Sequence, residues 1–123
     1  MKAVSKYQPL KHYTWGEACD GWNFVDLPEL SVKQERMPPG TAEQKHYHQQ
    51  AQQFFFILNG RARFEVEEET IELNSGEGLH IAAGKKHRIS NPAHEDLEFI
   101  LCSQPSTTGD RIEVREEKEN SKD

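Results

Sequence analysis

The chain has 123 residues, a formal net charge of -6 at pH 7, 34% hydrophobic residues and 29% charged ones. That length suits one domain with its own core, and the acidic balance excludes the basic footprint of a nonspecific nucleic-acid binder. No apolar run approaches the ~20 residues of a membrane span, and the opening MKAVSKYQPLKHYTW lacks the apolar stretch of a secretory leader, so a cytoplasmic protein is expected. In that compartment Cys19 and Cys102 are expected as thiols rather than a disulfide.

Residues 1–28 carry Trp15, Trp22 and Phe24 around Gly16 and Gly21. They read as an edge strand or an arm that packs aromatics onto the domain or a neighbour. A β-domain is expected over 29–112. Its first strand, ELSVKQERM, is stopped by Pro38-Pro39-Gly40, because proline has no N–H for a ladder. The polar middle of that strand leaves its phase open: either Gln34 and Arg36 face inward, or Lys33, Glu35 and Met37 do. QFFFIL (53–58) runs to Asn59-Gly60, a strong hairpin signal. RARFEV (61–66) alternates, with Ala62, Phe64 and Val66 on one face, and Ile71 and Leu73 continue the alternation. GLHIA (78–82), HRISN (87–91) and LEFILCS (97–103) follow. Short strands at this spacing predict a small all-β sandwich or barrel. The charged segment 113–123 has almost no apolar residues after Val114 and is expected to be a disordered tail.

The informative pair is His46 and His48. On a strand, residues two apart share a face, so two imidazoles stand side by side, and neutral imidazole is a common ligand of transition metals. Around them the spacing runs Gly40, His46, His48, Gln53, Gly60, then Gly76, Ala82, Gly84, His87, Asn91. This resembles the two motifs of the cupin family, G-x5-H-x-H-x3,4-E-x6-G and G-x5-P-x-G-x2-H-x3-N, over residues 40–91. All marked positions match except two. Gln53 stands where the family usually has Glu, and Ala82 where it has Pro. Gln52 also falls within the spacing allowed after His48, but only Gln53 lies at the right distance from Gly60.

The resemblance implies a single-domain double-stranded β-helix, the jelly-roll barrel, with one divalent metal ion (iron, manganese, nickel or zinc) inside. It assigns His46, His48 and His87 as ligands, with or without Gln53. Strand parity then puts Phe55, Ile57, Ile89 and Asn91 on the pocket side, with Arg36 joining them under one phase of its strand. Tyr47, Arg88 and Ser90 point away. His80 faces the pocket only if Leu79 and Ile81 do not, and the latter phase is the expected one. Because Gln53 is neutral, the ligand set holds no protein anion, which favours an anionic small molecule at the metal. It also removes a possible general base. Lys45, Lys85 and Lys86 lie in adjoining loops and can steer such an anion.

Two functions compete at this level: a metal-dependent enzyme of dioxygenase, isomerase or lyase type, and a noncatalytic module that binds a small metabolite. A further feature concerns assembly. If Gln53, Phe55 and Ile57 face in, then Phe54, Phe56 and Leu58 face out, and each gains ~1.5–3 kcal/mol when buried. A homodimer is expected to cover them, with the N-terminal arm as the alternative cover.

Overall fold

The computed structural model describes residues 1–115. They form eleven strands and no helix, so no helix is long and apolar enough to cross a membrane. In chain order these are β1 (Lys11–Trp15), β2 (Cys19–Leu27), β3 (Leu30–Met37), β4 (His46–His48), β5 (Gln52–Asn59), β6 (Arg61–Val66), β7 (Glu69–Asn74), β8 (Gly78–Ile81), β9 (His87–Ser90), β10 (Leu97–Gln104) and β11 (Arg111–Glu113). One sheet has the order β1-β2-β3-β10-β5-β8 and the other β11-β4-β9-β6-β7. Every neighbouring pair is antiparallel. The all-β jelly roll expected from the motifs is the fold observed.

The core lies between the two inner faces. Burial alternates along β10 and along β5 as far as Leu58, as it must when one face of a strand meets the other sheet and the second does not. Phe55 from one sheet meets Phe64 from the other edge to face, with ring centroids 5.0 Å apart. Phe99, Met37, Ile57, Ile89 and Leu97 fill the space around them.

Three local expectations change. Asn59-Gly60 does not close a hairpin, because β5 and β6 belong to different sheets. Gly60 instead turns the corner between layers, at φ 84° and with the Asp96 carbonyl where a Cβ would sit. A side chain there would be strained twice over, by the left-handed backbone and by the contact. Residues 1–28 supply the edge strand that is one of the two alternatives expected, β1, and what changes is that they also supply an interior strand, β2. At the other end, Glu113 lies in β11, beyond the boundary expected at residue 112. The rest of the expected tail, 116–123, lies outside the described residues.

Candidate metal centre

β4 is a strand of three residues, and its two ends carry His46 and His48 on the inner face. His46 pairs in register with His87 at the start of β9, which brings in the third imidazole. One nitrogen from each ring can be chosen so that all three lie within 4.8 Å of one another. Donors bonded to one ion at ~2.1 Å stand no more than ~4.2 Å apart, so the three rings are gathered about one centre and would draw slightly closer around an ion. All three side chains are buried, at 1–4% exposure.

The residues before two of the three ligands set their tautomers. His46 Nδ1 lies 2.8 Å from the Gln44 carbonyl, and His87 Nδ1 lies 2.9 Å from the Lys85 carbonyl. A carbonyl only accepts, so both Nδ1 atoms carry the hydrogen and both Nε2 lone pairs are free to ligate. The buried His87 Nε2 and His48 Nδ1 have no hydrogen-bond partner among the described residues. Burial pushes the pKa of His46 down to about 3 and that of His87 to about 4, and it lowers His48 as well. Repulsion among the rings adds to the effect in His46 and His87. These imidazoles are therefore held in the neutral form that binds metal.

Gln53, on the facing sheet, completes the wall. Its Nε2 donates to Ser103 Oγ at 3.1 Å, which turns Oε1 the other way. That oxygen is buried and unpartnered. Orphaned polar atoms are rare in cores because each costs ~1–3 kcal/mol. Orphans on His48, His87 and Gln53, together with the free side of His46, fit a divalent ion taking nitrogen and oxygen donors.

A cavity of about 280 Å3 opens beside this wall, at the lower edge of the ~300–1,000 Å3 range of small-molecule pockets. Phe55 and Ile89 line it; Ile57 and Asn91 do not. Ile57 is packed in the core. Asn91 is a backbone clamp, with Nδ2 donating to the Met37 and Glu95 carbonyls and Oδ1 accepting from Ala93 N–H. The structure also settles the phase of β3: Lys33 and Glu35 line the cavity and Arg36 does not. Arg36 lies on the opposite face, bonded to Asp20 at 2.7 Å and to Asp96 at 3.2 Å. The expectation of Arg36 as a pocket residue is thereby corrected, because a guanidinium with two carboxylate partners at the surface gains nothing by turning inward. His80 is exposed and bonded to Gln52, with Ile81 buried on the other face. Arg88 pairs with Glu65.

Several lining residues escaped the sequence reading. Tyr13 and Trp15 come from β1, Thr107 from the loop before β11, and Arg111 from β11 itself. Lys45, Lys85 and Lys86 do not line the cavity; its cations are Lys33 and Arg111. Two carboxylates are also present, Glu35 and Glu43. Glu43 Oε2 accepts from Ile89 N–H at 3.1 Å and lies 3.9 Å from His46 Nδ1. Burial raises the Glu43 pKa to about 8, against the pull of Arg111. Glu35 is raised too, chiefly by burial, while the Tyr13 hydrogen bond and Lys33 oppose the shift. The motif thus lacks its acid at position 53, yet the cavity does not lack acids. Only the alternation of β3 could have suggested Glu35; no local signal marked Glu43.

Residues 33–103 match the family model described as a Cupin domain. Over 94 residues the chain is 26% identical to an uncharacterized protein, MJ1618, of Methanocaldococcus jannaschii, covering 76% of this chain and 75% of that protein. It is 28% identical over 65 residues to an oxalate-binding protein of Thermotoga maritima, covering 53% of this chain and 54% of that one. The chain therefore spans about half of that relative's length. Among solved structures, KdgF from Halomonas sp. is similar in fold, with a TM-score of 0.77 at 15% identity over 86% of this chain and 94% of that one.

Proposed function

The chain belongs to the cupin family, and from that premise we propose that it binds one divalent metal ion through His46, His48, His87 and Gln53 and holds a small anionic organic molecule against it. The observation that carries this reading is the set of buried donors on His48, His87 and Gln53 without partners among the described residues, beside a small cavity that His46, His48 and Gln53 line. When bound, the ion supplies positive charge and open coordination positions for an oxygen ligand. The chain's own residues do the rest. Four neutral donors leave the ion's charge uncancelled, Lys33 and Arg111 add positive potential, and Phe55, Ile89 and Leu101 keep the cavity apolar enough to strengthen it. The oxalate-binding relative is in keeping with a carboxylate ligand.

The test is metal content followed by anion titration. Protein purified without chelator or histidine tag is expected to hold one equivalent of iron, manganese, nickel or zinc. Loaded protein is expected to bind oxalate in a calorimeter, and metal-free protein is not. Equal oxalate binding with and without metal would sink the reading.

A catalytic role is favoured over simple binding by one observation. Glu43 lies next to His46 with its pKa raised into the neutral range, where a carboxyl group can both take and return a proton. The sequence reading found no acid–base group; the cavity contains two.

We also propose that the chain forms a homodimer through the outer face of β5. Phe54, Phe56 and Leu58 are 37–42% exposed there. The N-terminal segment does not cover them: Lys6 packs on Trp22 and pairs with Glu98, and β1 forms the opposite edge of the sheet. Light scattering is expected to give twice the chain mass, and Phe56→Arg to give a folded monomer. A monomeric wild type would refute the dimer.

A further inference from the structure

The Tyr13 side chain crosses a strand. In the ladder Tyr13 on β1 is opposite Gly21 on β2, and Gly21 is opposite Glu35 on β3. A Cβ at Gly21 would lie 2.0–2.3 Å from the Tyr13 ring. The missing side chain is therefore what lets the ring lie across β2 and its hydroxyl donate to Glu35 Oε2. Lys33 Nζ stands 5.6 Å from the centre of the same ring, within cation–π range. Tyr13, Lys33 and Glu35 all line the cavity that His46, His48 and Gln53 line. The Tyr13 bond uses Glu35 Oε2 and leaves Oε1 as the carboxylate's second acceptor.

We propose that Tyr13 and Glu35 form a second, metal-independent anchor that accepts a hydroxyl group of the ligand. The ligand class is then a small hydroxycarboxylate, with its carboxylate at the histidine wall and its hydroxyl at Glu35. This rests on the reading that the metal site takes a small anion. The chemistry of the two ends separates the groups. A second carboxylate at Glu35 would meet another acceptor and be repelled, whereas a hydroxyl has a hydrogen to give. The Tyr13 bond holds the Glu35 side chain in one orientation, so less freedom is lost when the ligand arrives. The metal ligands lie inside the segment 33–103 matched by the family model, and Tyr13 lies outside it. Glu35 lies inside that segment as well, so the tyrosine half of the anchor is the part that falls outside it.

The test uses the full chain loaded with Mn2+, titrated with butyrate and with 2-, 3- and 4-hydroxybutyrate. A distal hydroxyl, at position 3 or 4, is expected to improve affinity about fivefold or more, ~1 kcal/mol. The double substitution Tyr13→Phe with Glu35→Leu removes both polar groups together, so neither is left orphaned. It is expected to erase that preference, read as the ratio to butyrate, while leaving Mn2+ affinity within about twofold; butyrate itself is expected to bind no more weakly, because a negative charge has left the cavity. The 2-hydroxy isomer, whose hydroxyl is close enough to its own carboxylate to share the ion, is expected to keep its preference in the variant. Gly21→Ala, which displaces the ring but keeps both groups, is expected to weaken the distal preference as well; it decides the matter if the double variant does not fold. If no distal hydroxyl helps in wild type, the anchor is overturned and the metal reading stands. Loss of Mn2+ in the double variant overturns it too, because the pair then serves the metal. If no carboxylate binds the loaded wild type, the proposed function fails and the anchor with it.

Discussion

His46→Ala is expected to lower metal affinity by more than about 100-fold, since removing even an outer-shell partner of a ligand costs ~10–100-fold. His46 is central to the cluster: its ring centroid lies 4.9 Å from that of His48 and 4.4 Å from that of His87. Circular dichroism is expected to stay that of a β-protein, because the barrel's apolar contacts do not pass through this ring. Competition with a chromophoric chelator measures the loss. Retained stoichiometric metal in the variant would exclude the three-histidine site.

The same cluster dictates the pH dependence. An ordinary imidazole, with a pKa near ~6.5, competes with metal by taking up a proton as soon as pH falls below that value. Here the pKa values of His46 and His87 are pushed down to about 3 and about 4. Lowered values mean that these two rings stay deprotonated as pH falls, so their competition with protons starts only near pH 4, and burial lowers His48 in the same direction. Metal affinity is accordingly expected to change little between pH 7.5 and 5.5. Three ordinary imidazoles would lose ~10-fold each at the lower end.

Gln53→Glu is expected to act in the opposite direction on metal and on anion. A carboxylate at this position lines the same cavity as His46 and His48, and Ser103 Oγ, which now accepts from the amide, can turn its hydrogen to donate instead. Metal affinity is expected to rise about tenfold or more, ~1.4 kcal/mol, because an anion replaces a neutral carbonyl in the ligand set. Oxalate affinity of the loaded protein is expected to fall, since the added negative charge reduces the field that attracts it. The metal-free variant is expected to melt lower than wild type at neutral pH, with a carboxylate buried and unpaired. Unchanged metal affinity would show that Gln53 is not a ligand, and the site would reduce to three histidines.

Gln53 also shows where local information suffices. Strand parity alone put His46, His48, Gln53 and Phe55 on one side, and the register of the sheets agrees with that assignment. The outward faces of Phe54, Phe56 and Leu58 came from the same rule, as did that of His80. Where alternation was unmarked the reading stalled. In β3 the run Lys33-Gln34-Glu35-Arg36 has no apolar residue to distinguish its faces, so Glu35 and Arg36 were equivalent until Asp20 and Asp96 claimed the guanidinium.

The sequence by itself determined the all-β class and the shared face of His46 and His48, because side-chain direction along a strand is a local property with a period of two; the jelly-roll frame and the joining of His87 and Gln53 to that pair followed from the resemblance of the motifs to the cupin family. Only the tertiary structure decided which carboxylates share the cavity, that Gly60 turns a corner instead of closing a hairpin, and that Tyr13 and Arg111 from the two ends of the domain form its walls. Those outcomes depend on which strands pair. Strand pairing joins residues far apart in the chain, as when Tyr13 reaches Glu35 across Gly21, and no local pattern encodes the partner.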